Sequence, residues 1–357
     1  MKKYLILVIN PGSTSTKLAI YENEDLKAEY KISHDTKKIL SYKHINDQYP
    51  FRKEVIMDFL KKENVDLKAF SAIVGRGGML KPITSGTYVV NDLMIQDMKE
   101  AKRGEHASNL GCMLAKELAD IHQIPAYIVD PVAVDEMDDH YRYTGFPELQ
   151  RQSVFHALNH KAVARKRAHD LNKKYEELNF IIAHLGGGIS VAAHQKGKVI
   201  DVNNALDGDG PMSPERSGSV PMGPLYKMAF SGEYTLEEIK RKNYGKGGLT
   251  AYLGTNDGVE IMKMIESGDE KAKFIFEVMC YQIAKEIGSQ ATVLEGQVDE
   301  IILTGGLAYN QLLVDIVRKR VSFIAPVVVY AGENEMESLA LGALRVLKGE
   351  EESKIYK

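Results

Sequence analysis

One pattern occurs twice in this chain, and it limits the folds open to it. Leu5-Ile6-Leu7-Val8-Ile9 runs into Asn10-Pro11-Gly12-Ser13, and Phe180-Ile181-Ile182-Ala183 runs into His184-Leu185-Gly186-Gly187-Gly188. In both, an apolar run ends in a polar residue, a glycine-bearing turn follows, and a second run returns, Lys17 to Tyr21 and Ser190 to His194. Strand, turn and strand is a common arrangement on its own. Repeated in the two halves of a 357-residue chain, it reads as two copies of one fold, each long enough to bury its own core.

The rest of the chain fits a mixed α/β architecture with substantial parallel pairing. Val- and Ile-rich runs predict strands at 4–10, 15–21, 71–75, 87–91, 126–130, 179–184, 189–195, 198–202, 299–304 and 326–330. The clearest helix is 270–294, where Ile275, Val278, Met279, Ile283, Ile287 and Leu294 keep to one stripe. Further helices are expected at 51–62, 92–103, 107–121, 154–171 and 337–348. The charged, weakly patterned stretch Asp138 to Arg151 is the natural boundary, giving domains 1–150 and 151–337. A last helix, within 338–357, is expected to fold back onto the first domain.

Composition removes several function classes. With 46 basic and 49 acidic side chains the net charge is −3, and neither half carries the basic excess that nucleic-acid binding needs. Cys112 and Cys280 are far apart without Cys-x-x-Cys spacing, which suits buried thiols in a reducing compartment. Lys2-Lys3 before the apolar run superficially resembles a signal peptide, but the run is short and ends in Asn10-Pro11-Gly12. No stretch reaches the roughly 18 apolar residues of a membrane span. A cytoplasmic protein without a membrane partner is expected.

In open α/β sheets, ligands bind beyond the carboxyl ends of the strands, so the residues that end each run merit separate reading. They are Asn10, Arg76, Asp130, His184 and Thr304-Gly305-Gly306. An amide, a guanidinium, a carboxylate, an imidazole and bare backbone amides in one cleft suit phosphate. The hydroxyl run Ser13-Thr14-Ser15-Thr16 with Lys17 adds donors, and Gly186-Gly187-Gly188 and Gly305-Gly306 supply two more anion-binding turns. No Walker A sequence or dinucleotide fingerprint is present. Arg216 lies in the Pro- and Gly-rich run Gly208 to Gly218, either as a rigid anion clamp or as a solvated arginine on a surface turn. His156 is either a cleft residue or a satisfied core histidine.

The string Ile9-Asn10-Pro11-Gly12-Ser13-Thr14-Ser15-Thr16-Lys17 resembles the amino-terminal signature of the acetate kinase family, and His184 to Gly188 with Arg216-Ser217-Gly218 resembles its second signature. Ile73 to Gly78, Gly104 to Leu110 and Asn203 to Gly218 resemble the butyrate kinase branch more closely. The resemblance implies two duplicated ribonuclease-H-like domains with mixed sheets flanked by helices, the actin-like ATPase fold, closing over ATP and Mg2+. It implies reversible phosphoryl transfer from ATP to a short-chain carboxylate, giving an acyl phosphate and ADP, and a homo-oligomer. Asn10, Ser13, Ser15 and Lys17 would surround the phosphates with Gly186, Gly187 and Gly188. Gly305, Gly306 and Asn310 would line the adenosine site, and Asn10 and Glu337 would serve magnesium, with the nearby Glu333 and Glu335 as alternatives to Glu337. Asp130, His156, His184 and Arg216 match active-site positions, with Arg76 the substrate arginine and His106 near the acyl pocket.

Acetate kinases carry Arg-Val-Val-His-Gly-Gly where this chain has Ile73-Val74-Gly75-Arg76-Gly77-Gly78. The arginine stands closer to the glycines, and Gly75 replaces a valine. That glycine is expected to open room for a longer acyl chain, with Phe155 as another wall. Two more buried methylenes, at roughly 0.8 kcal/mol each, would favour butanoate over acetate about tenfold. The alternatives are a kinase for acetate, propionate or isobutyrate, a non-catalytic ATP-binding module, and a phosphate-binding regulator.

Overall fold

A computed structural model describes residues 2–357. Its strands are β1 (Leu5–Pro11), β2 (Ser15–Glu22), β3 (Asp25–Ser33), β4 (Ala72–Gly75), β5 (Thr87–Val89), β6 (Ala126–Val129), β7 (Asn179–Leu185), β8 (Ile189–Gln195), β9 (Lys198–Val202), β10 (Glu300–Gly305), β11 (Val327–Ala331) and β12 (Lys354–Ile355). They form two sheets, of order β12-β5-β6-β4-β1-β2-β3 and β11-β10-β7-β8-β9. The duplication expected from sequence is explicit in these orders. In the first sheet β1 pairs antiparallel with β2, β2 antiparallel with β3, β1 parallel with β4, and β4 parallel with β6. In the second, β7, β8, β9, β10 and β11 repeat the same pairings in the same order. Even the register shift recurs, at Ile20/Tyr21 between β2 and β3 and at Ala193/His194 between β8 and β9.

The chain divides into two compact units, one from the residues through Val134 with Asn334–Lys357, the other Asp135–Glu333. The division falls at Asp135 rather than 151, because the charged stretch is tied to β9. Asp138 N–H donates to Ile200 O at 3.0 Å, and Arg151 donates to Val202 O and pairs with Asp201 at 2.9 Å. In the first unit, Leu7, Ile9, Leu18 and Ile20 pack with Phe59, Leu110 and Leu114 from the helices Tyr49–Lys62 and Asn109–Asp120. The helix Glu335–Lys348 lies against β1, β4 and β6 of the same unit. In the second, alternate residues of β7 face opposite layers. Ile181 and Ala183 meet Phe276, Met279 and Ile283 of the helix Glu270–Val293, while Phe180 and Ile182 meet Val163 and Ala164 of Ala157–Asp170.

The sequence pattern did not signal β3, whose Lys and Glu residues alternate along a sheet edge, where charge discourages pairing with another chain. It also missed the helices Met222–Ala229, Leu236–Asn243, Gly258–Glu266 and Gln311–Val321. The first two bury no residue of their own and so lack an apolar stripe facing a core. Among the described residues, no helix is long and apolar enough to cross a membrane. Cys112 and Cys280 are buried and unbridged, and burial pushes both thiols up to about 12.

Candidate active site

In the first unit the strand ends gather charge. Asn10, opposite Lys17 in the β1–β2 register, donates from Nδ2 to Glu335 Oε2 at 2.9 Å, and Lys17 Nζ is 3.6 Å from the same oxygen. Arg76, just past β4, pairs with Glu335 Oε1. Burial alone would raise the Glu335 pKa, but Arg76 and Lys17, with the hydrogen bonds from Arg76 and Asn10, hold it at about 2. Two cations against one carboxylate leave the cluster net positive. Glu337, expected at the metal, does not join it; it lies close enough to Tyr21 to help raise that phenol. The geometry therefore associates Glu335, not Glu337, with Asn10.

The turn carrying Ser13 and Ser15 is braced from beneath by a residue the sequence reading missed. Arg52 is fully buried on the helix Tyr49–Lys62 and donates to Ser15 O at 2.7 Å, Gly12 O at 2.9 Å, Ser13 O at 3.3 Å and Thr16 Oγ1 at 2.8 Å. Thr16 Oγ1, accepting from Arg52, lies 2.8 Å from His34 Nε2. An arginine among Ile56, Phe59 and Leu60 on the buried face of a helix was the available signal. Asp130 is buried just past β6, where its Oδ1 accepts from Ser85 Oγ at 2.6 Å and Gly86 N–H at 2.7 Å. His106 Nδ1 accepts from Ser108 Oγ at 2.8 Å and Ser108 N–H at 3.2 Å, so its ring proton is on Nε2; desolvation, then the Arg76 charge, lowers its pKa.

Two expected pocket residues are corrected. A Cβ on Gly75 would lie 2.2 Å from Gly111 O and 2.9 Å from Cys112 N, and one on Gly111 would lie 2.4 Å from Arg76 O. The missing side chain is thus replaced by helix backbone, and Gly75 opens no acyl pocket. Phe155 is 2% exposed, edge-on to His160 with centroids 5.2 Å apart, so the wall assigned to it is packed core.

In the second unit, His184 holds in β7 the place of Asn10 in β1, sixth of seven strand residues. It is 1% exposed and donates from Nδ1 to Asn159 Oδ1 at 2.9 Å. Its Nε2, 3.0 Å from Glu333 Oε1, lacks a partner with hydrogen-bond geometry, and an added Cβ on Gly186 would stand 3.2 Å from it. His156 is half-buried, its ring stacked on His184 at 3.8 Å and 9°, with Nδ1 2.9 Å from Ser190 Oγ. It combines both readings, partly exposed yet anchored.

The Gly186–Gly188 turn closes through Gly186 N–H to Gly188 O at 3.2 Å, and Ser213 Oγ donates to Gly187 O at 2.5 Å. The Arg216 guanidinium packs so close to Gly188 that a Cβ there would lie 2.1 Å from Nη1, which donates to Ala205 O. Its loop is rigid: Arg216 N–H donates to Ser213 Oγ, Ser217 N–H to Asn243 O, and Gly218, at φ 66°, leaves no room for a side chain beside Met212 N. The solvated-turn reading is excluded. Gly305, at φ 87°, lies against Leu185, where a Cβ would be 2.4 Å from O, whereas a Cβ on Gly306 meets nothing within 4 Å. Asn310 caps the helix Gln311–Val321, its Oδ1 accepting from Leu313 N–H at 3.0 Å.

The chain is 54% identical over 99% of its length to the whole of butyrate kinase 2 of Clostridium acetobutylicum. It is 55% identical, over 99% of both chains, to a probable butyrate kinase of Clostridium botulinum. Among solved structures, acetate kinase of Porphyromonas gingivalis matches 96% of this chain and 100% of its own at a TM-score of 0.79 and 21% identity. A propionate kinase of Francisella tularensis matches 95% and 98% at 0.74 and 21%. These two establish the actin-like ATPase fold. The model of the acetokinase family matches residues 146–337, and with the full-length relatives it shows that the chain belongs to that family.

Proposed function

We propose that the chain transfers the γ-phosphoryl group of ATP to the carboxylate of butanoate, reversibly, giving butanoyl phosphate and ADP. The near full-length identity to two butyrate kinases carries this reading. Like a glutamate side chain of pKa about 4.3, a short-chain acid is ionised at neutral pH, so the nucleophile needs no general base. The task is electrostatic, since one anion must approach another and charge then spreads over the transferring group.

The chain's residues suit that task. His184, with Nδ1–H held by Asn159, donates from Nε2 when the ring is an imidazolium, and Glu333 Oε1 lies 3.0 Å from that nitrogen. His184 is the donor we assign to the transferring phosphoryl group. Arg216, paired to a neutral carbonyl, keeps its positive charge for an anion; burial lowers its pKa from the usual value, a cost that a bound anion relieves. Arg76 and Lys17, set by Glu335, offer the cationic surface of the first unit, and we assign them to carboxylate and phosphate. Asp130 positions the Ser85–Gly86 turn. Gly306 leaves open space suited to the adenosine.

Among the described residues there is no cluster of three or more His, Cys, Asp or Glu able to hold a metal ion. With Arg76 and Lys17 turned to bound anions, the Glu335 carboxylate beside an amide would fit magnesium, which keeps most of its waters and arrives with the nucleotide's phosphates. Glu335 and Asn10 would hold it, and the ion would neutralise β- and γ-phosphate charge. A hydroxamate assay for acyl phosphate, run with ATP, magnesium and C2 to C5 acids, tests the function. The expected result is the highest kcat/KM with butanoate; a higher value for acetate or a branched acid would replace the substrate, and no hydroxamate with any acid would overturn the reading.

A further inference from the structure

Behind His156 runs a row of polar side chains that the phosphoryl-transfer chemistry does not use. Ser190 Oγ lies 2.9 Å from His156 Nδ1 and 2.9 Å from His160 Nε2. His160 Nδ1 lies 3.2 Å from His194 Nε2, with the two rings parallel to 1°, and His194 Nδ1 lies 2.5 Å from the Tyr175 hydroxyl. His160, Ser190 and His194 are each 0% exposed. Four links therefore join a half-buried histidine to a buried phenol.

Such a row has a direction. Burial holds both His160 and His194 well below the ordinary imidazole pKa, so each is neutral, with one donor and one acceptor nitrogen. The links from Tyr175 to Ser190 must then run the same way, and a Ser190 hydroxyl that accepts at His160 Nε2 can direct its own proton to His156 Nδ1. Lys161, fully buried, bridged to Glu136 and 5.5 Å from the Tyr175 ring centroid, disfavours protonation of His194, and the phenol, far more acidic than a neutral imidazole N–H, is the donor of that pair. Tyr175 O–H thus donates to His194 Nδ1, His194 Nε2–H to His160 Nδ1, His160 Nε2–H to Ser190 Oγ, and Ser190 O–H to His156 Nδ1. His156, accepting at Nδ1, carries its one ring proton on Nε2.

We propose that Tyr175, His194, His160 and Ser190 form a directional relay that fixes His156 as the neutral Nε2–H tautomer, and that these four are positioning residues for phosphoryl transfer. The consequence lies in the stack. His156 and His184 overlap at 3.8 Å, where two imidazolium rings would repel, so a neutral His156 lets His184 alone carry the charge that its Nε2 donation requires. The catalytic part of this inference rests on the proposed function; the tautomer does not.

Long-range 1H–15N spectra of the full-length, 15N-histidine-labelled protein test it, with the His156 signals assigned by their loss in His156→Gln. The wild-type chain should show the neutral Nε2–H pattern at His156. In Tyr175→Phe, which keeps the ring, the proton should divide between both nitrogens, and kcat should fall about fivefold, the kinetic equivalent of one hydrogen bond, with KM for ATP and butanoate within twofold. Ser190→Ala should do the same, and Ser190→Thr, which restores the hydroxyl, should recover both. An Nδ1–H pattern in the wild type, an unchanged tautomer in both broken variants, or a changed tautomer with unchanged kcat overturns the proposal. Should the wild type make no butanoyl phosphate at all, the proposed function fails while the spectra still decide the relay.

Discussion

The ends of β1 and β7 occupy the same place in two copies of one sheet, yet they are built from opposite chemistry. At β1 an amide sits in a salt cluster of Glu335, Arg76 and Lys17, and the following turn is braced by the buried cation Arg52. At β7 an imidazole stacks on another, is oriented by Asn159, and is followed by a glycine turn braced by the Ser213 hydroxyl. Duplication preserved the backbone pairings, which both cores demand, and left the polar ends free to diverge. The first end is ionic, two cations set by one carboxylate. In the second, Arg216 bonds a carbonyl and, among the described residues, forms no salt bridge, with Glu215 acting on it only through space, so its charge is available to a ligand.

That difference can be broken at its most extreme point. Arg216→Ala should lower kcat by about a hundredfold or more, as loss of a transition-state donor does, while KM for ATP changes little. Since Arg216 forms no salt bridge among the described residues and feels Glu215 only through space, the thermal midpoint should move far less than activity. A variant of near-normal kcat, or one that loses stability in proportion to activity, would make Arg216 a structural brace like Arg52 in the first unit.

A second substitution sharpens the contrast from the other unit. Valine at Gly75 must enter space held by the Gly111–Cys112 backbone, so Gly75→Val should cost about 2–3 kcal/mol and lower Tm by roughly 5–10 °C, without favouring acetate. Differential scanning calorimetry with a C2-to-C4 kinetic comparison reads both effects. A stable variant with a shifted acid preference would restore the pocket role that the packing denies.

Gly75 also shows where sequence reading stops. The duplication, the strands of both sheets apart from β3 and β12, and the polar strand ends were legible because burial writes apolar runs into the chain, and Asn10, Arg76, His184 and Gly186 stand where those runs end. The Gly75 signal was equally visible, but a glycine marks a close approach without saying whether ligand or backbone makes it. Which glutamate meets Asn10 depends on the phase of the helix Glu335–Lys348, and neighbouring glutamates differ by a rotation that no one-dimensional pattern fixes. The relay behind His156 was partly written as His156 and His160 four residues apart, one helical turn. Its partners Ser190 and His194 come from a strand, and only the fold joins the two periods.

The smallest expected effect separates the two strand ends by acid rather than by catalysis. Glu335 is held at about 2 in the folded chain against an ordinary value of 4.5, so it is ionised and paired at neutral pH and must be protonated in strong acid. A depressed carboxylate contributes its full stability above the unfolded value and loses it as pH falls from about 4.5 toward 2. Removing the charge in Glu335→Gln should therefore cost about 1–2 kcal/mol at pH 7, leaving Arg76 without its carboxylate, and should flatten the decline of stability across that acid window. Urea unfolding from pH 7 to 3, without nucleotide and in the presence of a chelator, measures both. His184→Gln serves as the control from the other unit: it removes an imidazole rather than a carboxylate, so the slope between pH 4.5 and 3 should survive. Equal slopes in wild type and Glu335→Gln would mean that the cluster at β1 is not held by the charge of Glu335, and the distinction between an end set by a carboxylate and one set by neutral partners would fall with it.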